Sequence, residues 1–334
     1  MNLFNRRFAL IASAYAMVLG TAAAPALAAD PIPLRISCAA AESDWLVGGL
    51  KVFKEQLEKS SPGQFNVSIH AASSLFRQGT EVPAMQRGNL DMSTMTTFEV
   101  EAQIPEYSVF SVGYLLRDYD HMAKVFNGPI GAEYTKAVAD KMQLQILQLM
   151  YLGTRQVNMR VAKPVATPAD LTGVKLRMPG GPGWLVIGKG LGASPTPMAM
   201  PEVYLALKTG AIDGQDNPLP IMRANNLQEV TQSIVMTSHL VQPVFLTLAK
   251  PVWDKLTDAQ KAAVSAAAKA GAEFNDKSRL DDESKSLAFF KEKGLKVYTP
   301  DLAPFRASVA KAYTETDLPK AWQPGLKERI EATK

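Results

Sequence analysis

Hydrophobic positions along the chain alternate between two periods. Leu34, Ile36 and Cys38 interleave with Arg35 and Ser37, the two-residue repeat of a strand. From Asp44 to Lys59 the apolar residues Leu46, Leu50, Phe53 and Leu57 take helical spacing, and Ser61-Pro62-Gly63 ends the run. Phe65, Val67 and Ile69 then return to the strand period. This strand–helix–strand opening predicts an α/β sheet with crossover helices. The pattern goes on to predict a short helix over 81–87, a strand over 90–95, a long helix over 121–141 and a strand over 144–150. Near Gly153 its character changes: segments 157–161, 174–178 and 194–197 predict strands of a second sheet, and 234–236 with 244–248 carry the chain back.

A different signal stands at Thr257-Asp258-Ala259-Gln260, where the threonine caps a helix and the glutamine reaches back to the cap. An alanine-rich amphipathic run follows to Lys293 and closes at Gly294. A continuous helix of about 36 residues is ~54 Å long, against ~30 Å for a small domain, so it must serve two domains. Gly271 leaves open the alternative of two shorter helices. The total of 334 residues also favours two domains over one.

Composition narrows the class. Apolar residues make up 47% and charged residues 20%, ordinary for a globular protein and unlike a disordered chain or a coiled coil. Residues 1–29 read as an export signal: Arg6 and Arg7, an apolar stretch from Phe8 to Leu19, and the small-residue site Ala26-Leu27-Ala28, with cleavage near Ala28. That stretch falls short of the ~20 residues that span a bilayer. Phe8 directly after the arginine pair fits Sec better than twin-arginine export, and the mature protein is expected in the periplasm. Removing two arginines takes the net charge from +4 to 4 − 2 = +2, too little to imply a nucleic-acid partner. Cys38 is the only cysteine, so no disulfide forms within the chain.

Candidate chemistry is sparse. Arg177 falls on the polar face of its strand, just before Pro179-Gly180-Gly181-Pro182-Gly183, where open α/β sheets bind ligands. An arginine there can hold a carboxylate through paired hydrogen bonds or stand as a surface cation. Asn217 precedes Pro218 and is a candidate cap for a helix running through Arg223, or a donor to a ligand oxygen. Arg155 lies where the chain passes between domains; Trp45, Phe98 and Trp184 fall in strand-to-helix turns, as pocket lining or as core. The three histidines, His70, His121 and His239, lack metal-ligand spacing, and neither a nucleophile elbow nor a phosphate loop occurs. No enzyme, metal or cofactor is expected.

The segments Leu171-Thr172-Gly173-Val174-Lys175-Leu176-Arg177-Met178-Pro179, Leu191-Gly192-Ala193-Ser194-Pro195-Thr196-Pro197-Met198 and Asp213-Gly214-Gln215-Asp216-Asn217-Pro218-Leu219 resemble the solute-binding subunits, of the DctP type, of tripartite ATP-independent periplasmic (TRAP) transporters. The likeness extends to Glu202-Val203-Tyr204-Leu205-Ala206-Leu207-Lys208-Thr209-Gly210, Arg87-Gly88-Asn89-Leu90-Asp91-Met92 and Gly153-Thr154-Arg155-Gln156. The resemblance implies a two-domain α/β periplasmic binding protein that closes like a hinged trap, with domain I at 30–152 plus 243–282 and domain II at 153–242 plus 283–334. It implies a carboxylate held by Arg177 and Asn217, with Arg155 assisting, and delivery of that ligand to a small and a large membrane subunit. The bound form is expected to be a monomer. Asp216 stands where glutamate is commoner in the family, and the loop from Ser74 to Gly79 also departs from it, so Arg77 and neighbouring Glu81 become candidates to read the rest of the ligand. Arg77 would suit a dicarboxylate; Trp45, Phe98 and Trp184 would suit an aromatic or apolar monocarboxylate.

Overall fold

The computed structural model describes residues 30–334, so the export segment lies outside the described residues. Nine strands form one sheet: β1 (Ile32–Ser37), β2 (Phe65–His70), β3 (Met92–Met95), β4 (Leu144–Met159), β5 (Lys175–Met178), β6 (Ser194–Pro197), β7 (Gly214–Pro218), β8 (Ser233–Ala249) and β9 (Lys296–Tyr298). Their order is β2-β1-β3-β8-β4-β7-β5-β6, with β9 also on β8. Pairing is parallel in β2-β1-β3 and in β7-β5-β6, and antiparallel where β8 meets β3 and β4. The second sheet expected from the sequence is therefore the other half of the first, joined to it by β4 and β8.

Each of these shared strands was split in two by the hydrophobic pattern, and the reason is local. β4 shifts register against β8 at Ile146/Gln148, Tyr151/Gly153 and Arg155/Val157, and each bulge resets the inward–outward alternation. Within β8 the residues Thr237, His239 and Gln242 are polar and fully buried, so the strand's centre lacks an apolar signature.

Helices follow their caps. Asp44 accepts a hydrogen bond from the Leu46 amide (2.8 Å) and starts the first helix, Trp45–Ser60. The long helix predicted over 121–141 is two helices, Tyr119–Asn127 and Pro129–Met142. Gly128 ends one and opens the other, and Pro129 fits only a first turn. After Thr257 a single helix runs from Asp258 to Glu292, its capping box closed by Gln260 N–H to Thr257 Oγ1 (3.2 Å) and Thr257 N–H to Gln260 Oε1 (3.0 Å). Its 35 residues extend ~52 Å. Gly271 does not break it. A Cβ there would sit 2.6 Å from the Gly49 carbonyl oxygen, and one on Gly49 would sit 2.6 Å from that of Gly271. The glycine pair lets the first and long helices cross backbone against backbone.

The core is layered about the sheet. Leu50, Phe53 and Leu57 of the first helix meet Val264, Ala268 and Ala272 of the long one, while Phe110, Tyr134 and Phe245 centre a larger cluster. The last helix, Leu326–Ala332, reaches back to the first half: Arg329 pairs with Glu133 (2.7 Å) and the Ile330 carbonyl meets His121 Nε2 (2.9 Å). Its contacts thus differ from the boundary drawn from the sequence, which grouped 283–334 with the second half.

Candidate functional site

The carboxyl ends of β1, β3, β5 and β7 converge on the middle of β4 and β8, around a cavity of about 100 Å³. Asp44, Gln78, Glu81 and Glu99 line it from the first half, Arg177, Met200 and Asn217 from the second, and Arg155 and Gln242 from the shared strands.

Arg177 is 1% exposed. Its Nε donates to the Met198 carbonyl (2.9 Å) and its Nη2 weakly to Gln78 Oε1 (3.4 Å), with no carboxylate within ion-pair distance among the described residues. Burial pulls the guanidinium down to about 9; Asp216 opposes that fall and Arg155 adds to it. A buried cation with no counter-charge is costly unless a ligand supplies one.

Arg155 is also buried and lines the same cavity, but its charge is already matched. Its Nε and Nη2 donate to Asp216 Oδ2 (2.6 Å) and Oδ1 (3.0 Å), and Nη1 donates to Gln242 Oε1 (2.7 Å). His239 Nε2 lies 3.1 Å from Asp216 Oδ2. Burial alone would raise the Asp216 carboxyl; Arg155 and His239 outweigh it and hold the group well below the usual carboxylate range. The short reach of Asp216 thus keeps Arg155 tied back against β7, over the Trp184 ring (4.5 Å).

Asn217 is buried beside these arginines, its Nδ2 donating to Gln215 Oε1 (2.6 Å). It is not the helix cap suggested by the sequence. Its backbone is committed to the ladder opposite Gln156, and Pro218 precedes the helix Leu219–Ala224 without any side-chain cap.

The remaining candidates separate. Glu81 and Trp184 line the cavity. Phe98 does not: it is buried behind Trp184, stacked on it at 3.8 Å and 14°. Trp45 faces the long helix instead, with Nε1 donating to Asp282 Oδ2 (2.8 Å) and its ring edge-on to Phe274. Arg77 lies at the rim, 62% exposed and paired with Glu202 across the two halves (2.7 Å). Its Nε and Nη2 are both held by Glu202 Oε1, so a second carboxylate reaching it competes with Glu202. Next to it, Gln78 Oε1 accepts from the Met200 amide (2.7 Å) as well as from Arg177, tying the halves together over the cavity. Sequence reasoning missed Glu99 and Gln242, and within the loop from Ser74 to Gly79 it nominated Arg77 rather than Gln78. Glu99 had a readable signal, the Thr96-x-x-Glu99 capping box; the two glutamines had none.

The family model for DctP, bacterial extracellular solute-binding protein, family 7, matches residues 36–317. The chain belongs to this family. A solute-binding protein of Roseobacter denitrificans is 31% identical over 313 residues, 93% of this chain and 94% of that one. The sialic acid-binding periplasmic protein SiaP of Vibrio cholerae is 30% identical over 267 residues, 80% of this chain and 83% of its own length. Among solved structures, a TRAP periplasmic solute binding protein from Roseobacter denitrificans with bound 3-deoxy-D-manno-oct-2-ulosonic acid superposes with a TM-score of 0.88 at 39% identity, covering 91% of this chain and all (100%) of that one. Another from the same organism, with bound L-galactonate, gives 0.83 at 28% identity, covering 91% and 99%. This DctP-family chain is thus a TRAP solute-binding protein with the two-domain α/β fold and its spanning helix, and no described helix is long and apolar enough to cross a membrane.

Proposed function

We propose that this protein is the periplasmic subunit that captures a small sugar-acid-like monocarboxylate and delivers it to the small and large membrane subunits of a TRAP transporter. One observation carries the reading: Arg177, 1% exposed in the cavity wall, has no carboxylate partner of its own among the described residues. A ligand carboxylate supplies that partner, with the Asn217 amide as a neighbouring donor. Arg155, neutralised by Asp216, offers its remaining N–H and shapes the wall rather than binding a second acid group.

The solutes bound by the two Roseobacter proteins are both hydroxylated carboxylic acids, which supports the same class here. An aromatic ligand has less support, because the one cavity-lining tryptophan, Trp184, is already covered by Arg155 and Phe98. The protein acts by binding and closure, as a monomer exported through residues 1–29, with β4, β8 and the long helix as the hinge between its halves. Binding stabilises the fold by mass action, about 2.7 kcal/mol at a hundredfold excess over Kd. Thermal melting of the mature protein against a panel of carboxylic acids tests this. Hydroxylated monocarboxylates should raise the melting temperature of the wild type and not of Arg177→Ala; equal shifts in both would sink the assignment.

A further inference from the structure

The cavity has more acid in its walls than its own cations neutralise. Of its three lining carboxylates, Asp44 is paired with Arg279 of the long helix, whereas Glu81 and Glu99 meet no cation among the described residues. Glu81 is 7% exposed and caps its own loop, accepting from the Gly79 amide through Oε2 (2.7 Å). Glu99 accepts from the Thr96 amide through Oε2 (2.9 Å). Both come from the first half of the sheet, on the segments after β2 and β3. Arg177 comes from β5, with β8, β4 and β7 between. A ligand anchored at Arg177 and spanning the cavity therefore ends against two carboxylates.

We infer that Glu81 and Glu99 are the specificity-determining residues of this site: they select acids whose remote end carries hydroxyl donors and reject those carrying a second carboxylate. Carboxylates accept hydrogen bonds and cannot donate them when ionised, so a hydroxylated chain satisfies them. A second anion there meets like charge, with the rim cation Arg77 already held by Glu202. Burial pushes the Glu81 carboxyl up to about 7, with the charge of Glu99 adding to the rise, and burial raises Glu99 as well, against the hydrogen bonds that each accepts.

The inference rests on the carboxylate reading of Arg177 and is tested apart from it. Affinities are measured by calorimetry at pH 8 for matched acids of equal carbon number: aldonates, the aldarates with a carboxylate at both ends, and unsubstituted alkanoates. The wild type should bind its best aldonate at least about tenfold tighter than the matched aldarate and alkanoate. In Glu81→Gln/Glu99→Gln, which keeps both loop-capping acceptors, the aldonate-to-aldarate ratio should fall to within about threefold. Arg177→Ala should lose every acid. An aldarate or alkanoate bound as tightly as the aldonate, or a ratio unmoved in the double variant, overturns the inference and leaves the anchor standing; no acid bound at all overturns both.

Discussion

Replacing Arg177 by methionine should make the empty protein more stable while abolishing its function. The guanidinium's fall from its ordinary value to about 9 corresponds, at 1.36 kcal/mol per pH unit, to about 5 kcal/mol disfavouring the charged form in the folded state. Methionine removes that penalty and fills most of the volume. The loss of the Nε bond leaves the Met198 carbonyl without its donor, which costs about 1–3 kcal/mol. The net expectation is a gain of about 2–4 kcal/mol, within the range found when buried charges are exchanged for apolar groups. For a chain of this size that raises the melting temperature by roughly 5 °C. Differential scanning calorimetry on ligand-free and acid-saturated samples reads both effects, since the ligand-induced shift of the wild type should vanish in Arg177→Met. A variant that melts below the wild type when both are empty would refute the picture of an uncompensated cation awaiting an anion.

Three further outcomes follow from other parts of the molecule. Glu81 and Glu101 are both pushed up to about 7 by burial, so between pH 4.5 and 7 the folded state holds more protons than the unfolded one and stability falls as pH rises; the empty protein should melt higher at pH 5.5 than at pH 8, and Glu81→Gln should flatten that slope. Asp216→Asn strips the buried Arg155 of its counter-charge and should cost about 3–5 kcal/mol in urea titrations. The wild-type pair, with its carboxyl held low, keeps its contribution at neutral pH and loses it only as acid carries the solution below the usual carboxylate range. Gly271→Ala, which helix propensity alone would favour, should instead destabilise by about 1–3 kcal/mol because its methyl meets the Gly49 carbonyl, a result again read from the urea midpoint.

How much of this was legible in the sequence depended on whether a residue's signal was local. The capping box at Thr257 fixed the start of the long helix, and the period-two runs gave β1, β2 and β5 to within two residues at each end. What failed was context from the partner strand: the β4 bulges and the buried polar centre of β8 hid two continuous strands, and with them the unity of the sheet. The site divides in the same way. Arg177 stood out from its strand end and its motif. Nothing near Arg155 in sequence announced that Asp216, 61 residues on, would neutralise it. Trp45 and Phe98 were nominated because turns often line pockets, but each ring turns toward a neighbouring helix or ring.

The sharing of β4 and β8 between the halves also governs how the chain acquires its shape. β3 pairs with β8 through Met92 and Leu248, and the first half cannot complete its sheet until residues 153–242 have been synthesised and β8 has returned. Neither half is then an autonomous folding unit. Contacts this remote in sequence slow folding, because loop closure precedes any reward from pairing. A chain that must wait for β8 before completing its sheet stays unfolded for longer, the form that the export proposed above would use.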